Sequence, residues 1–448
     1  VSTRSFTFSI ARSNDGWYNA RSMKTTYDDA IPLFALKNAI RNYAWGSYDG
    51  LKTWAGIGTD GAKPSAEFWM GAHPDDPSSI VLPDGSALPL PKYIRDYPIK
   101  SLGEEVFAEF GDLPFLFKVL SASMPLSIQV HPDKAHAREG FDREDALGIA
   151  RDAPERNYKD RNPKPELAVA LSDFSALCGF RPAAEAAELL GLALREYFGF
   201  SPDAGEASFR SLLSKALTLR DKEKAHLEAM ATSRARELLA SSDEAARAAG
   251  ETTIMCYQHY PHDPGAISPL FMGVHRLKAG QGIYVPAGVM HAYLKGTLLE
   301  IMAPSDNVIR GGLTHKHIDV AELMGNLDFS ASTRFVEPRA SSGDPREAVW
   351  DTPAREFQLS RFALADQKPA LADTTGPEIL LCTEGQATID CASGALAASG
   401  EASRRGGAAG VTLKRGESIF IGAACKHYSL RGPCVVYRAR VGSGEAFS

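Results

Sequence analysis

Three polar side chains share one face of a short stretch of the chain, residues 125–132. If this stretch is a strand, it alternates, so that Ser127, Gln129 and His131 face one way and the apolar residues face the other. A face that carries a hydroxyl, an amide and an imidazole is a poor core face, because buried polar groups need partners. Such a face suits the wall of a metal site or of a polar-ligand site.

Two residues elsewhere in the chain complete a set of possible metal ligands. Glu166 opens an apolar run at residues 166–171, where a buried carboxylate needs a cation or hydrogen-bond donors. His291 follows a turn at residues 285–288, and a single histidine in such a place is more often structural than a ligand. Together with Gln129 and His131, however, these residues form a nitrogen and oxygen set that suits zinc or a similar divalent ion. Such an ion is suited to polarising a carbonyl.

A glycine-rich segment with charged side chains follows His291. Asp306, Arg310 and Lys316 lie in it, and an arginine with a lysine beside backbone donors can clamp an anion such as phosphate. A solvated charged loop explains the same residues at least as well. Lys118 is less ordinary, because it interrupts an apolar strand at residues 116–120 and a buried lysine usually has a specific partner.

An internal repeat places His291 in the fold. Residues 277–287 align without gaps on residues 413–423, and each copy reaches a histidine four residues later, His291 and His427. A glycine turn, an apolar strand, a second turn and a histidine are typical of a small β-barrel or jelly roll, so two copies predict two such units. Near the second histidine stand only Cys425 and Lys426, without a Gln-x-His counterpart. The first unit is therefore predicted to be active and the second to be structural.

Composition limits the class of protein. The 448 residues allow about two to four domains, and the hydrophobic fraction of 44% with 39 glycines and 27 prolines is typical of a soluble globular protein. The net charge of −6 and the lack of a Lys/Arg run argue against nucleic-acid binding. No apolar run approaches the ~18 residues of a membrane-spanning helix. The six cysteines contain no CxxC pair, which predicts reduced thiols, a reducing compartment and no cysteine-bound zinc.

The pattern along the chain predicts an inserted helical module. Residues 32–180 have the short runs and turns typical of strands with some short helices, and the strand pattern returns after residue 264. Between them, residues 183–198, 209–219 and 221–239 are predicted to form amphipathic helices, for which a packing or lid role without chemistry is the favoured interpretation. The first ~24 residues are basic and serine-rich, a faint sign of an organellar transit peptide. A disordered extension is the simpler interpretation.

Several long motifs resemble those of one known family. They lie at residues 42–47, 66–74, 125–134, 162–171, 176–182 and 285–316. In this order they resemble type I mannose-6-phosphate isomerase (phosphomannose isomerase), a zinc-dependent cupin family, and the match runs from about residue 34 to the C-terminus. The resemblance implies a mainly β protein with an inserted α-helical module and two cupin domains, which are jelly-roll β-barrels. The first of these domains is expected to be catalytic and the second degenerate.

The predicted domain bounds follow from the pattern and the resemblance together. Residues 1–30 are predicted to be an N-terminal extension, for which disorder is the simpler interpretation. Residues 31–182 and 264–335 form the catalytic cupin domain, residues 183–263 the inserted helical domain, and residues 336–448 the C-terminal cupin-like domain.

The resemblance also implies a role for individual residues. Carried over by position, the ligands of one zinc ion per chain are Gln129, His131, Glu166 and His291, and the family's catalytic arginine is Arg310. The remaining active-site residues implied are Ser127, Lys118, Lys164, Tyr293, Glu300, Asp306 and Lys316. The chain departs from the family pattern at residues 271–275 and at Ile301, and neither departure affects an expected ligand.

The implied reaction is the reversible interconversion of D-mannose 6-phosphate and D-fructose 6-phosphate through a cis-enediol, which feeds GDP-mannose synthesis. Zinc would polarise the substrate oxygens, and Arg310, with Ser127, Lys118 or Lys316, would hold phosphate or negative charge. Lys164 is the first candidate for the proton carrier, because neighbouring cations and burial would lower its pKa. Glu300 is the second candidate, and Asp306 could assist ring opening.

Two other functions remain open on sequence alone. A non-catalytic cupin that senses sugar phosphates would be expected to have lost a metal ligand or the arginine, and this chain has all of them. A different metal-dependent sugar-phosphate isomerase is excluded only by the family motifs. The expected partner is a small sugar phosphate, with no nucleic acid and no membrane, and the protein is expected to be a cytoplasmic monomer.

Overall fold

The computed structural model describes residues 32–330, 333–391 and 410–444. The predicted N-terminal extension, residues 1–30, lies outside the described residues. The described residues from Pro32 onward form one compact unit. No helix in the described parts of the chain is long and apolar enough to cross a membrane.

The chain before the helical module forms short strands joined by turns and short helices. The strands are β1 (Leu33–Lys37), β2 (Ala39–Arg41), β3 (Glu67–Met70), β4 (Ser79–Val81), β5 (Ala87–Pro89), β6 (Leu116–Ala122), β7 (Ile128–Val130), β8 (Glu166–Ala170) and β9 (Phe174–Phe180). The helices are α1 (Gly50–Ala55), α2 (Leu90–Asp96), α3 (Pro98–Leu102), α4 (Glu104–Phe110) and α5 (Lys134–Ala146).

The helical module begins where the composition changes. Its helices are α6 (Ala183–Phe198), α7 (Glu206–Leu217), α8 (Asp221–Leu239) and α9 (Glu244–His259), followed by a 3-10 helix at Pro264–Leu270. The predicted bounds are confirmed for α6 and α8, although Gly191, with φ 68°, interrupts α6, and α7 begins and ends slightly earlier. The helix α6 starts after Pro182 and stops at Gly199, which has φ 66° and so takes the left-handed conformation that ends many helices.

The rest of the chain is mostly strand. The elements nearest the module are β10 (Met272–Leu277), β11 (Gly282–Val285), β12 (His291–Met302), β13 (Ile309–Gly312), α10 (Val320–Asn326) and β14 (Arg334–Val336). The C-terminal strands are β15 (Arg339–Ala340), β16 (Glu347–Trp350), β17 (Gln358–Leu364), β18 (Ala370–Asp373), β19 (Glu378–Cys391), β20 (Val411–Lys414), β21 (Ser418–Ile421), β22 (His427–Arg431) and β23 (Cys434–Arg440).

The described strands form two antiparallel sheets, one of eleven strands and one of twelve. The eleven-stranded sheet, here called the first β-domain, contains β2, β3 and β6–β14. Its long strand β12 belongs to two layers: the half that starts at His291 pairs with β7 and β9, and the half from Gly296 pairs with β6 and β8. Gly296 has φ +119°, which favours glycine at this bend. The shared strand gives the two-layered arrangement of a jelly roll.

The twelve-stranded sheet, here called the second β-domain, repeats this design. It contains β1, β4, β5 and β15–β23. Its long strand β19 pairs first with β21 and β23 and then with β20 and β22. The internal repeat is confirmed, because β11 and β21 occupy equivalent positions and His291 and His427 each begin the next strand.

The N-terminal segment contributes to both β-domains. Strand β1 pairs with β21, with Leu33 opposite Ile421, and β4 and β5 extend the same sheet. The structure thus differs from the predicted division, which placed residues 31–182 wholly in the catalytic domain. The cause is a long-range strand pairing that no local pattern in the sequence reveals.

The helical module packs directly on the first β-domain. Ile128 and Val130 of β7 share one hydrophobic cluster with buried residues of the module, such as Leu212 and Leu270. The predicted alternating strand is shorter than expected, since β7 covers only Ile128–Val130. Leu126 precedes it and packs against a different cluster. The prediction that Leu126 shares the face of Ile128 and Val130 is therefore wrong.

Two of the cysteines are not free thiols. Cys391 and Cys425 form a disulfide with their Cα atoms 6.0 Å apart. The prediction of reduced thiols is wrong for this pair, because the pairing of β19 with β22 brings two distant segments together. The remaining cysteines are free and buried, namely Cys178, Cys256, Cys382 and Cys434.

Candidate active site

Three neighbouring strands of the first β-domain place three predicted site residues side by side. In the sheet order β13, β7, β12, Arg310 lies opposite Gln129, and Gln129 lies opposite His291. Residues directly opposite each other in an antiparallel pair project to the same face. The strand pairing therefore aligns a guanidinium, an amide and an imidazole in one row.

Glu166 comes from the other layer of the first β-domain and lies beside the row of Arg310, Gln129 and His291. It is the first residue of β8, and its carboxylate oxygens lie 3.2 Å from Nε2 of His131 and 3.4 Å from Nε2 of His291. The ligand atoms of these three buried residues all lie within 4.8 Å of one another. Gln129 completes the group, with its Nε2 atom 3.4 Å from Nε2 of His291. The structure thus brings all four predicted zinc ligands together.

The hydrogen bonds of the two histidines determine which ring nitrogen is free. Nδ1 of His131 lies 2.8 Å from the carbonyl of Asn307, and Nδ1 of His291 lies 3.0 Å from the carbonyl of Val289. A carbonyl only accepts, so each Nδ1 donates, and in the neutral form of each ring Nε2 carries the lone pair toward Glu166. This tautomer is the one that binds metal ions through Nε2.

The lone pairs of His131 and Glu166 face each other without a proton between them. Nε2 of His131 and one oxygen of Glu166 are fully buried and neither makes a hydrogen bond of acceptable geometry among the described residues. Burial and the charge of Lys164 lower the pKa of His131 to about 4, so this ring is neutral at pH 7. Because two acceptors 3.2 Å apart repel each other, a cation between them would remove the conflict. The donor set fits a divalent ion such as zinc.

Lys164 and Tyr293 surround the same carboxylate. Nζ of Lys164 lies 2.8 Å from Glu166, and the hydroxyl of Tyr293 donates to Glu166 at 3.4 Å. Burial raises the pKa of Glu166, but the neighbouring groups, of which Lys164 has the largest effect, together outweigh it and hold the pKa well below its ordinary value. The carboxylate is therefore ionised. The nearest charged group to Lys164 is this anion, whereas neighbouring cations were expected.

A buried ion cluster lies beside the metal ligands. Lys118 and Glu300 face each other across β6 and β12, with Nζ 3.1 Å from the carboxylate, and Glu67 lies 3.9 Å from the same Nζ. The prediction that Lys118 has a specific partner is confirmed. Burial raises the pKa of Glu300. The charge of Lys118 acts in the opposite direction but does not cancel this rise. Trp69 donates to Glu67 at 3.0 Å and so holds the cluster from the other side.

Positive charge gathers at the mouth of the site. Burial lowers the pKa of Lys316, and the nearby charges of Arg310 and Lys159 lower it further. Among the described residues, no acidic group lies within ion-pair distance of the Arg310 guanidinium. Burial lowers the pKa of this guanidinium. Together, Arg310, Lys316 and Lys159 can bind an anion such as phosphate. Lys118 is not part of this group, since its partners are Glu300 and Glu67.

Asp306 and Ser127 lie at the edges. Nε2 of His73 lies 3.4 Å from Asp306, while Nδ1 of the same ring accepts from the backbone of Asp75. His73 therefore donates to Asp306 and has no lone pair left for a metal. Burial raises the pKa of Asp306, but the hydrogen bond from His73 and the nearby charges of Lys164 and Lys159 together outweigh it and lower the pKa. Ser127 is half-buried in the loop before β7.

Sequence reasoning missed four residues that shape the site: Glu67, His73, Lys159 and Asn307. Asn307 is fully buried, and its side chain accepts from the backbone of Lys159 at 2.7 Å and donates to the carbonyls of Asp160 and Asn162, both at 2.9 Å. Its own carbonyl accepts from His131. A polar residue between Asp306 and the apolar Val308 was a visible but weak signal.

Known proteins resemble this chain over most of its length. A family model described as phosphomannose isomerase type I, catalytic domain, matches residues 33–183. Mannose-6-phosphate isomerase of Escherichia coli (strain K12) is 38% identical over 405 residues, covering 89% of this chain and 96% of that protein. The enzyme of the same name from Bos taurus is 32% identical over 426 residues, with 87% and 93% covered.

Solved structures agree with these relatives. A variant of phosphomannose isomerase from Salmonella typhimurium superposes with a TM-score of 0.81 at 35% identity, covering 92% of this chain and 99% of that one. A zinc-bound mannose 6-phosphate isomerase gives a TM-score of 0.80 at 35% identity, with the same coverage. Agreement of sequence and fold at this length shows the family directly. The chain belongs to the mannose-6-phosphate isomerase family, with its cupin fold.

Proposed function

We propose that this chain interconverts D-mannose 6-phosphate and D-fructose 6-phosphate, with a zinc ion held by Gln129, His131, Glu166 and His291. The reaction moves a proton between C1 and C2 of the open-chain sugar phosphate. The relatives named above share this activity by name, and one neighbouring structure contains zinc.

One observation carries the metal assignment. Nε2 of His131, whose neutral ring donates through Nδ1, faces an ionised, buried oxygen of Glu166 at 3.2 Å without a proton between them, and Nε2 of His291 lies 3.4 Å from the other oxygen. When bound, zinc supplies a Lewis acid that polarises the substrate oxygens next to the carbon that loses its proton. The residues of the chain supply binding, orientation and proton transfer.

The cationic mouth is proposed to bind the phosphate group. Arg310 lies in the same row as Gln129, so a phosphate bound there leaves the sugar directed toward the metal ligands. Lys316 and Lys159 add positive charge from the rim. Ser127 and Tyr293 would contact the sugar. Lys118 would not contact it but would hold Glu300 in place through their ion pair.

The proton carrier is proposed to be Lys164, with Glu300 as the alternative. Both are buried next to the metal ligands, and either could reach the carbon atoms of a sugar bound there. Lys164 lies beside Glu166, whereas Glu300 has the raised pKa that favours a general base at neutral pH. Asp306, ionised and oriented by His73, is placed to assist ring opening.

The protein is proposed to act as a cytoplasmic monomer. Every residue assigned to the site comes from one chain, so no second copy is needed to complete it. Four of the six cysteines are free thiols, as expected of a reducing compartment, although the Cys391–Cys425 disulfide is an exception. Size-exclusion chromatography with light scattering and a fluorescent fusion of the full-length protein test these two points.

The activity is tested by adding mannose 6-phosphate to the purified full chain and following fructose 6-phosphate, with and without a chelator. Product should form, stop after chelation and return when zinc is restored. If sugar phosphate binds but no product forms in any condition, the chain is a sensor and the enzyme proposal fails. If chelated protein without measurable zinc stays fully active, the metal assignment fails.

A further inference from the structure

The segment that carries the phosphate-binding cations has an unusual backbone. Residues 310–316, here called the phosphate segment, begin with Arg310 and end with Lys316. Leu313 has φ 51°, a left-handed conformation that is unfavourable for a branched side chain, and Gly312 before it has φ 141°. Such a conformation persists only where the surroundings fix it. The residues that fix this segment therefore also fix the positions of Arg310 and Lys316.

Asp263, at the end of the helical module, holds the phosphate segment by its backbone. One carboxylate oxygen accepts from the backbone N–H of Thr314 at 3.0 Å, and the other accepts from that of Gly265 at 2.7 Å. A Cβ added to Gly265 would lie 2.6 Å from Cα of Gly312, so the two chains cross in direct backbone contact. A single carboxylate thus joins the module to the phosphate segment at a crossing with no room to shift.

The anchor extends to both ends of the segment. Thr314 accepts through its hydroxyl from the backbone N–H of Lys316 at 3.1 Å, which continues the connection toward that lysine. Leu313 is buried in the hydrophobic cluster that also contains Ile267 and Leu270 of the 3-10 helix after Asp263. This packing offsets the cost of the left-handed residue and keeps the turn next to Arg310 in one conformation.

The same part of the module also reaches the opposite wall of the site. The hydroxyl of Tyr260 donates to the carbonyl of Pro125 at 2.7 Å, just before Ser127 and Gln129. Tyr260 also lies against the ring of His315, with ring centroids 6.1 Å apart. Residues 260–265 therefore contact both chain segments that line the mouth of the site.

We propose that Asp263 is a positioning residue for phosphate binding, so that the helical module is part of the substrate-binding machinery. Asp263 acts through the backbone of Thr314 and does not itself contact substrate. The inference rests on the proposed function, because it takes Arg310 and Lys316 to bind the substrate phosphate. It replaces the interpretation of the module as packing without chemistry.

The test compares Asp263→Ala with a matched control in the same module, Asp243→Ala. Asp243 is exposed and caps α9 by accepting from Ala245 N–H at 3.0 Å, without contact to the phosphate segment. Loss of charged acceptors from the segment should raise KM for mannose 6-phosphate about tenfold and change kcat less than about threefold. The inhibition constant of inorganic phosphate should rise by the same factor as KM. Asp243→Ala should lower Tm but leave both constants unchanged.

Asp263→Asn separates positioning from folding, because its amide keeps one acceptor oxygen. Its KM should lie between those of the unaltered enzyme and Asp263→Ala, at about threefold above the former. If Asp263→Ala lowers Tm while KM and the phosphate constant stay within twofold of the unaltered enzyme, Asp263 has only a structural role and the inference is overturned. Inactivity of the unaltered enzyme would instead refute the proposed function, which keeps the two failures distinct.

Discussion

The two β-domains bury charged residues in opposite ways. In the second β-domain, Arg438 is 2% exposed and donates to Glu378 at 2.8 Å and to Glu347 at 3.2 Å. Tyr428 donates to Glu378 and Ser360 donates to Glu347, so both carboxylates are satisfied within the chain. In the first β-domain, Glu166 and His131 each have a buried atom without a hydrogen bond.

This difference shows how one scaffold can serve two purposes. The second β-domain supplies its own cation, since Glu378 and Tyr428 outweigh burial and raise the pKa of Arg438 further. Among the described residues, both carboxylates around Arg438 therefore have their partners within the chain. In the first β-domain Lys164 pairs with Glu166, but the lone pair of His131 faces the same carboxylate without a proton between them. A polar interior of that kind needs something from outside the chain, which is what a binding site requires.

The two histidines of the internal repeat give the most direct test of this difference between the two β-domains. His291 and His427 each begin the strand after the repeat, but His291 is buried beside Glu166 while His427 is half-exposed and bonded to Asp373. His291→Ala should reduce kcat/KM by at least about a thousandfold and lower the bound zinc, because a metal ligand is lost. His427→Ala should leave both within about twofold. Steady-state kinetics and metal analysis of both variants check this, and equal losses would refute the division of roles.

The buried charges of the first β-domain should be chemically active, unlike those of the second. Lys164→Met should lower kcat by about a hundredfold to a thousandfold, the range expected when a proton carrier is lost. Glu300→Gln should have a smaller effect while leaving zinc bound. Exchange of the C2 hydrogen with solvent, measured with deuterated substrate, separates proton transfer from binding. If Lys164→Met kept near-normal turnover while Glu300→Gln abolished it, Glu300 would be the proton carrier.

The buried charges of the second β-domain should contribute to stability alone. Arg438→Met leaves Glu378 and Glu347 buried without their cation, which should lower the free energy of unfolding by about 3 kcal/mol. Arg431→Met is the matched control, because its ion pair with Asp390 is partly exposed and should contribute less than about 1 kcal/mol. Denaturant unfolding gives these values, and zinc content and kcat per folded molecule should not change. A loss of zinc in Arg438→Met would show that the two interiors are coupled.

The local features of this comparison could be predicted from the sequence, but the long-range ones could not. The repeat placed β11, β21 and the two histidines correctly, and the apolar spacing gave the bounds of α6 and α8, because each depends on residues close together in the chain. The partners of Lys118 and the pairing of β1 with β21 depend on distant segments that only the folded sheet brings together. The Cys391–Cys425 disulfide was missed for the same reason.

Asn307 and His73 were missed for a different reason. Each acts on a predicted residue, His131 or Asp306, through a hydrogen bond whose geometry is set by the loops around it. A single buried asparagine or histidine has no spacing pattern that distinguishes this role from ordinary packing. Supporting residues of this kind therefore become visible only in three dimensions.

The smallest expected effect concerns the pH dependence of the first β-domain. Burial raises the pKa of Asp306, but the hydrogen bond from His73 is the largest of several effects that together lower it, so this carboxylate stays ionised to lower pH. His73→Phe removes the donor, and the pKa of Asp306 should rise. Since the ionised form is then lost at higher pH, the acid limb of the kcat/KM profile should move to higher pH. His73→Gln keeps an N–H donor and should move it less. If both variants shift the acid limb equally, or if neither shifts it, the hydrogen bond from His73 does not control the pKa of Asp306. The pH dependence of the first β-domain would then not depend on this contact, and its buried charges would resemble those around Arg438.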